Sequence, residues 1–120
     1  MAIDIGNEIT KALMTYTNDI TEGLEEIKVE ESKETVKDIR TNIDKQGIIE
    51  SGAYRKGWSR KKQNTAQIVH NRTDYQLTHL LEKGHAKVNG GRVRAYPHIA
   101  QAEELMIKRY EGKVERMIRG

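Results

Sequence analysis

The 120-residue chain has no cysteine, no phenylalanine, one proline and one tryptophan. Without cysteine there is no disulfide scaffold, no thiolate zinc site and no cysteine nucleophile. No apolar run approaches the roughly 20 residues of a membrane span. The segment Met1 to Glu8 lacks the basic and apolar regions of a secretory signal. The single proline and the lack of low-complexity tracts argue against a disordered linker. Large aliphatic side chains are scarce: Leu, Ile and Val together number 25. Mean hydropathy is −0.79 and 32% of residues are charged. A small domain buries a modest share of its surface even with a normal apolar content. The expectation is one soluble intracellular domain with a thin core, long solvated helices and help from a partner or from self-assembly.

The net charge of +3 conceals a split. Residues 1–50 carry 12 acidic and 6 basic side chains, a net of −6, and residues 51–120 carry 6 acidic and 15 basic, a net of +9. Such an asymmetry is compatible with signs that balance within one monomer, with contact between subunits, or with nucleic acid.

The first half reads as helix. Ile9, Leu13, Tyr16, Ile20, Leu24 and Ile27 recur at steps of four and three, and Val36, Ile39 and Ile43 resume the rhythm. One helix from near Asn7 to Asp44 is favoured over two that meet near residues 28–33, with Gly47 as its end signal. About 40 residues at 1.5 Å each span about 60 Å, more than the width of a 120-residue globule. Such a helix projects, or packs on something outside its own fold.

The second half changes character. Ala53 to Lys61 alternates, with Tyr54 and Trp58 on one side of an expected strand. Thr65 to His70 reads as its antiparallel partner across the polar turn Lys62 to Asn64. Thr73 and Gln76 match a capping box ahead of a short helix over 74–83 that stops at Gly84, with Leu77, Leu80 and Leu81 on its buried side. His85 to Arg94 has a hairpin signature centred on Asn89-Gly90. Pro97 suits the first position of a last helix over 97–118, with Ala102, Leu105, Met106, Tyr110, Val114, Met117 and Ile118 as its apolar stripe. The fold class expected is α+β: a long N-terminal helix (1–46), a β-rich core with the short helix (53–96) and a C-terminal helix.

Few constellations suggest chemistry. His79, Glu82 and His85, with His98 further on, offer metal-ligand types, but the spacing is not that of zinc peptidases. A hydrogen-bond network through His79 and Glu82, neighbours at i and i+3, is the preferred reading. No dinucleotide, phosphate-loop or nucleophile-elbow motif is present, so neither an enzyme nor a cofactor is expected. Nucleic-acid binding has the charge. Arg55, Lys56, Arg60, Lys61 and Lys62 crowd one strand, the interleaved Tyr54 and Trp58 offer stacking faces, and Lys87, Arg92 and Arg94 make the second hairpin basic. The preferred reading of the two aromatics, which share one face, is that they form the core of an aromatic-poor protein.

The succession Ser51-Gly52-Ala53-Tyr54 to Trp58, Val69 to Asn71, Tyr75-Gln76-Leu77-Thr78-His79-Leu80-Leu81-Glu82-Lys83-Gly84-His85-Ala86, Asn89-Gly90-Gly91 and Pro97-His98-Ile99 resembles the small tail-component and neck proteins of long-tailed bacteriophages and prophages, the gene-product-ten-like family of lambdoid phages. The likeness covers nearly the whole chain, and Tyr75 to Ala86 is its most specific part. Many members carry Pro and Thr-Gly ahead of the first strand, where this chain has Gly47 and Ser51-Gly52. The resemblance implies a virion structural protein, not an enzyme, in head–tail joining or tail completion. It implies a homo-oligomeric ring docked on other head–tail connector and tail proteins, formed in the bacterial host cytoplasm, with non-specific DNA contact open and no membrane. Its motif residues are Gly52, Tyr54, Trp58, Asn71, Tyr75, Leu77, His79, Leu81, Glu82, Gly84, His85, Gly90, Gly91 and His98.

Overall fold

A helix of 42 residues needs sound ends, and both are present. In the computed structural model, which describes residues 2–48, 52–87 and 90–120, α1 runs unbroken over Ile5–Gln46. The Asp4 carboxylate accepts the Asn7 amide hydrogen at 3.0 Å at the start. Gly47 closes the end at φ 67°, with the Ile48 and Gly47 amides donating to the carbonyls of Ile43 and Asp44. This is a Schellman closure, which needs the left-handed residue that glycine supplies.

The elements that follow are α2 (Gly52–Gly57), β1 (Trp58–Gln63), β2 (Ala66–Asn71), α3 (Leu77–Lys83), β3 (His85–Ala86), β4 (Arg92–Val93) and α4 (Ala100–Arg119). The α+β class and the order of long helix, small antiparallel sheet, short helix and last helix are as expected. Several boundaries differ. Ala53 to Gly57 is helical and not strand. Tyr54 and Trp58 still reach one core because a step of four keeps a face in a helix as a step of two does in a strand. β1 pairs antiparallel with β2, Trp58 opposite Asn71 and Gln63 opposite Ala66, so the loop is Asn64–Thr65, with Asn64 at φ 56°. β3 and β4 form a second, two-residue pairing. Gly90 and Gly91 take φ 89° and 80° in its turn; Asn89 and Ser51 lie outside the described residues.

The start of α3 departs from a capping box. Thr73 does not cap it, and the helix begins at Leu77, after two turn bonds from Leu77 and Thr78 to the Asp74 and Tyr75 carbonyls. The buried Asn71 takes the local amides instead. Its Oδ1 accepts from Asp74 at 2.8 Å and Thr73 at 3.2 Å, and its Nδ2 donates to the Tyr54 carbonyl at 2.7 Å. Pro97 is not the first residue of α4, which starts at Ala100.

The core is small: Val36, Ile39, Ile43, Tyr54, Trp58 and Ala102, flanked by half-buried Ile48, Val69, Leu77, Leu81 and Ile99. Leu80, Leu105 and Ile118, expected on buried stripes, are exposed. The N-terminal stripe Ile9, Leu13 and Tyr16 is exposed as well. The β1–β2 hairpin lies along α1. Arg40 donates to the carbonyls of Arg55, Lys56 and Trp58 at its base, and Lys28 Nζ donates to the Thr65 carbonyl at its tip. α4 packs antiparallel to α1, since Arg109 meets Asp38 and Glu31, Lys113 meets Glu30 and Glu31, and Met117 lies over Gly23. The molecule is therefore a rod of 85 × 24 × 23 Å, with a radius of gyration of 21.1 Å against roughly 14 Å for a compact chain of this length.

Candidate functional site

Three features carry the polar chemistry. The first is a knot where α2, α3 and α4 meet. The first amides of a helix have no intrahelical partner, and Ile99 at the N-cap of α4 has no side-chain oxygen to offer them. Glu82, projecting from α3, supplies the oxygens. Its Oε1 accepts from the amides of His98 at 2.8 Å and Ile99 at 2.9 Å, and its Oε2 from Ala100 at 3.1 Å. Burial alone raises the Glu82 pKa; the three amide donors and nearby His98 outweigh it and hold the carboxyl below its ordinary value. The expected bond between Glu82 and His79 is absent: His79 is exposed, and Glu82 is turned to the helix end.

His98 is fully buried beside this carboxylate. Its Nδ1 donates to the Tyr96 carbonyl at 2.7 Å and its Nε2 pairs with the Tyr54 hydroxyl at 2.6 Å. Tyr54, Trp58 and His98 stack edge-to-face with centroids 5.6 to 6.3 Å apart. Desolvation, with the charges of Glu82 and Asp74 nearby, pushes the Tyr54 hydroxyl up to about 12. The two aromatics are core, not exposed stacking platforms.

The second feature is an ion cluster between α1 and α4. Glu31 is 2% exposed. It is held by Arg109 at 2.8 Å and Lys113 at 2.7 Å, while Arg109 also reaches Asp38 and Lys113 reaches Glu30. Burial raises the Glu31 pKa and the two cations more than reverse it, leaving the carboxyl below its usual range. Part of the charge asymmetry is thus resolved within the chain, as it is where Arg55 forks onto Asp44 at 2.9 and 3.0 Å. Sequence reasoning missed this cluster, whose members are 78 residues apart at the Glu31–Arg109 pair.

The third feature is the set of basic residues that stay in solvent. Lys56, Arg60, Lys61, Lys62 and Lys87 are exposed. Arg92 donates to the Lys83 carbonyl and Arg94 lies 4.8 Å over the Tyr96 ring. Arg60 and Lys62 face α1 across an open groove, and a second groove of about 590 Å³ lies between α1, β2 and α4, lined by Ile39, Val69, Met106 and Tyr110. Trp58 forms part of both walls.

The remaining motif residues are mostly structural. Leu77 and Leu81 flank the core, Tyr75 is exposed, and His85 stands half-buried in β3. Gly84 takes φ 72° and ψ 179°, a region essentially confined to glycine. A side chain there would strike the Val93 carbonyl. Gly52 opens α2. Among the described residues no three His, Asp or Glu side chains gather as metal ligands, and no helix is long and apolar enough to cross a membrane. Comparison with protein-family models, with curated proteins and with solved structures finds no match to this chain.

Proposed function

We propose that this protein is a structural component of a bacteriophage or prophage virion, of the head–tail connector or tail-completion type. It acts by assembling into a ring with copies of itself and docking between head and tail. The observation that carries the reading is the projecting N-terminal third of α1, with Ile5, Ile9, Leu13 and Tyr16 bare along it. More large apolar side chains are exposed than buried among the described residues: eleven against six. Large exposed apolar surface on a soluble chain marks an interaction face. The resemblance of Tyr75 to Ala86 and the flanking motifs to phage neck proteins supplies the kind of assembly. The polar knot supports it by holding those motif residues as scaffold, with Glu82 and His98 spent on backbone amides and a tyrosine.

The test is removal of the gene from the phage or prophage that encodes it. DNA-filled heads and separate tails, joined again on complementation, are expected by electron microscopy. Infectious, joined particles in its absence would refute the role. The second reading, a nucleic-acid-binding module, rests on Lys56, Arg60, Lys61 and Lys62 exposed around one hairpin. It requires binding to random duplex DNA that weakens steeply with salt, and loss of that binding when Lys61 and Lys62 become Ala.

A further inference from the structure

Residues eighteen apart on an α-helix are separated by five full turns and stand in line. Ile5, Ile9 and Leu13 therefore stand directly above Gly23, Ile27 and Glu31, the face of α1 that α4 covers through Met117, Lys113 and Arg109. The contact face of α1 does not end where α4 ends. It continues toward the N-terminus as an apolar stripe, with Ile5, Ile9, Leu13 and Tyr16 at 69%, 55%, 60% and 55% exposure. Steps of four and three from Ile9 through Leu13 and Tyr16 to Ile20 are those of a helix-pairing seam.

We infer that this stripe is covered by the same segment of a second copy of this chain, in an antiparallel, two-fold helix pair. α4 runs antiparallel to α1 and stops at Arg119, with Met117 over Gly23. A second α1 running antiparallel to the first takes up the same line just past that end, so that its N-terminus follows the C-terminus of α4. The two ends are complementary. The last turn of α4 carries Arg116 and Arg119 at the negative end of its dipole, and the start of α1 carries Asp4 and Glu8 at the positive end of its own. A parallel pair would instead set Asp4 and Glu8 against themselves. With the second N-terminus just beyond α4, Ile9 of each copy meets Leu13 of the other, and the small Gly6 lies opposite Tyr16. The same patch serves both copies, as a two-fold contact demands. The pairing goes beyond the virion role and does not depend on it; ring building would require the pair to open.

The experiment is mass measurement in solution from low micromolar to millimolar protein, with designed variants. The expected species is twice the 13.8 kDa chain. Leu13→Asp, at an exposed position, should weaken association by more than roughly tenfold while leaving helicity and melting of the isolated chain intact. Leu105→Asp, on exposed α4, should leave association unchanged. With no native cysteine to interfere, Ala12→Cys should form an interchain disulfide near the two-fold axis. Asp19→Cys should not, because its two copies stand about 24 Å apart along the pair. A monomer throughout the series, an assembly indifferent to Leu13→Asp, or self-cross-linking of Asp19→Cys would each overturn the inference. The first two would assign the stripe to a different partner, and the gene-deletion phenotype would still test the virion role separately.

Discussion

Glu82 illustrates how one side chain can end one helix's neighbour and begin another. It leaves α3 at its last turn and satisfies three amides at the start of α4. Glu82→Ala leaves those donors half-buried and unpartnered, and should cost about 1–3 kcal/mol in denaturant unfolding. The acid side has a definite sign. The folded carboxyl titrates below the ordinary 4.5, so its contribution is complete above that pH and is lost as pH falls toward the folded value. Glu31, lowered in the same direction, adds to the loss. Stability of the native chain should therefore drop below about pH 4.5, and Glu82→Ala should make that drop shallower in melts run across the range. Tyr54→Phe tests the other half of the knot. It leaves the fully buried His98 Nε2 without its hydroxyl partner and should cost about 1–2 kcal/mol.

At the scale of elements, α4 is fastened to α1 by charge as much as by apolar contact. Arg109→Ala leaves Glu31, buried and negative, with Lys113 as its remaining partner. The expected loss is about 3 kcal/mol, the low end for a broken buried pair, read as a lowered urea midpoint. Gly84→Ala should cost about 1–3 kcal/mol from the backbone conformation alone, with the close Val93 carbonyl adding to it. The helices themselves were legible in the sequence because their periodicity is local. The length of α1 followed from an apolar rhythm with no proline to interrupt it, and its end from Gly47. The short elements were less so. Ala53 to Gly57 alternates as a strand does, yet Arg40, reaching across from α1 to its last carbonyls, helps hold it as a helix turn. Thr73 and Gln76 had the spacing of a cap, but the Thr73 hydroxyl turns to the Ala53 carbonyl and the Asn71 Oδ1 instead.

At the scale of the molecule, the rod shape follows from a shortage. With so few aliphatic side chains the core fills only where α1, the hairpin and α4 overlap, and the first turns of α1 extend past them. Hydrogen exchange should show this directly. In the Leu13→Asp variant, amides of residues 8–19 should open at far lower free energy than those of residues 27–43, because no packing supports them. Equal protection along α1 would contradict a projecting arm.

The amino-acid sequence determined the class of fold, the long helix, the two hairpins and the aromatic pair of the core, because each is written in local periodicity or turn chemistry. It also showed that the chain is divided into an acidic and a basic half. Tertiary structure alone decided what those charges do: Glu31 and Asp38 are answered by Arg109 and Lys113, and Glu82 by three distant amides. Such pairings depend on which elements are brought together in space, and spacing along the chain does not encode that. The same holds for the stripe on α1. Its apolar rhythm is uniform in the sequence, and the end of α4 divides it into a covered part and a bare one.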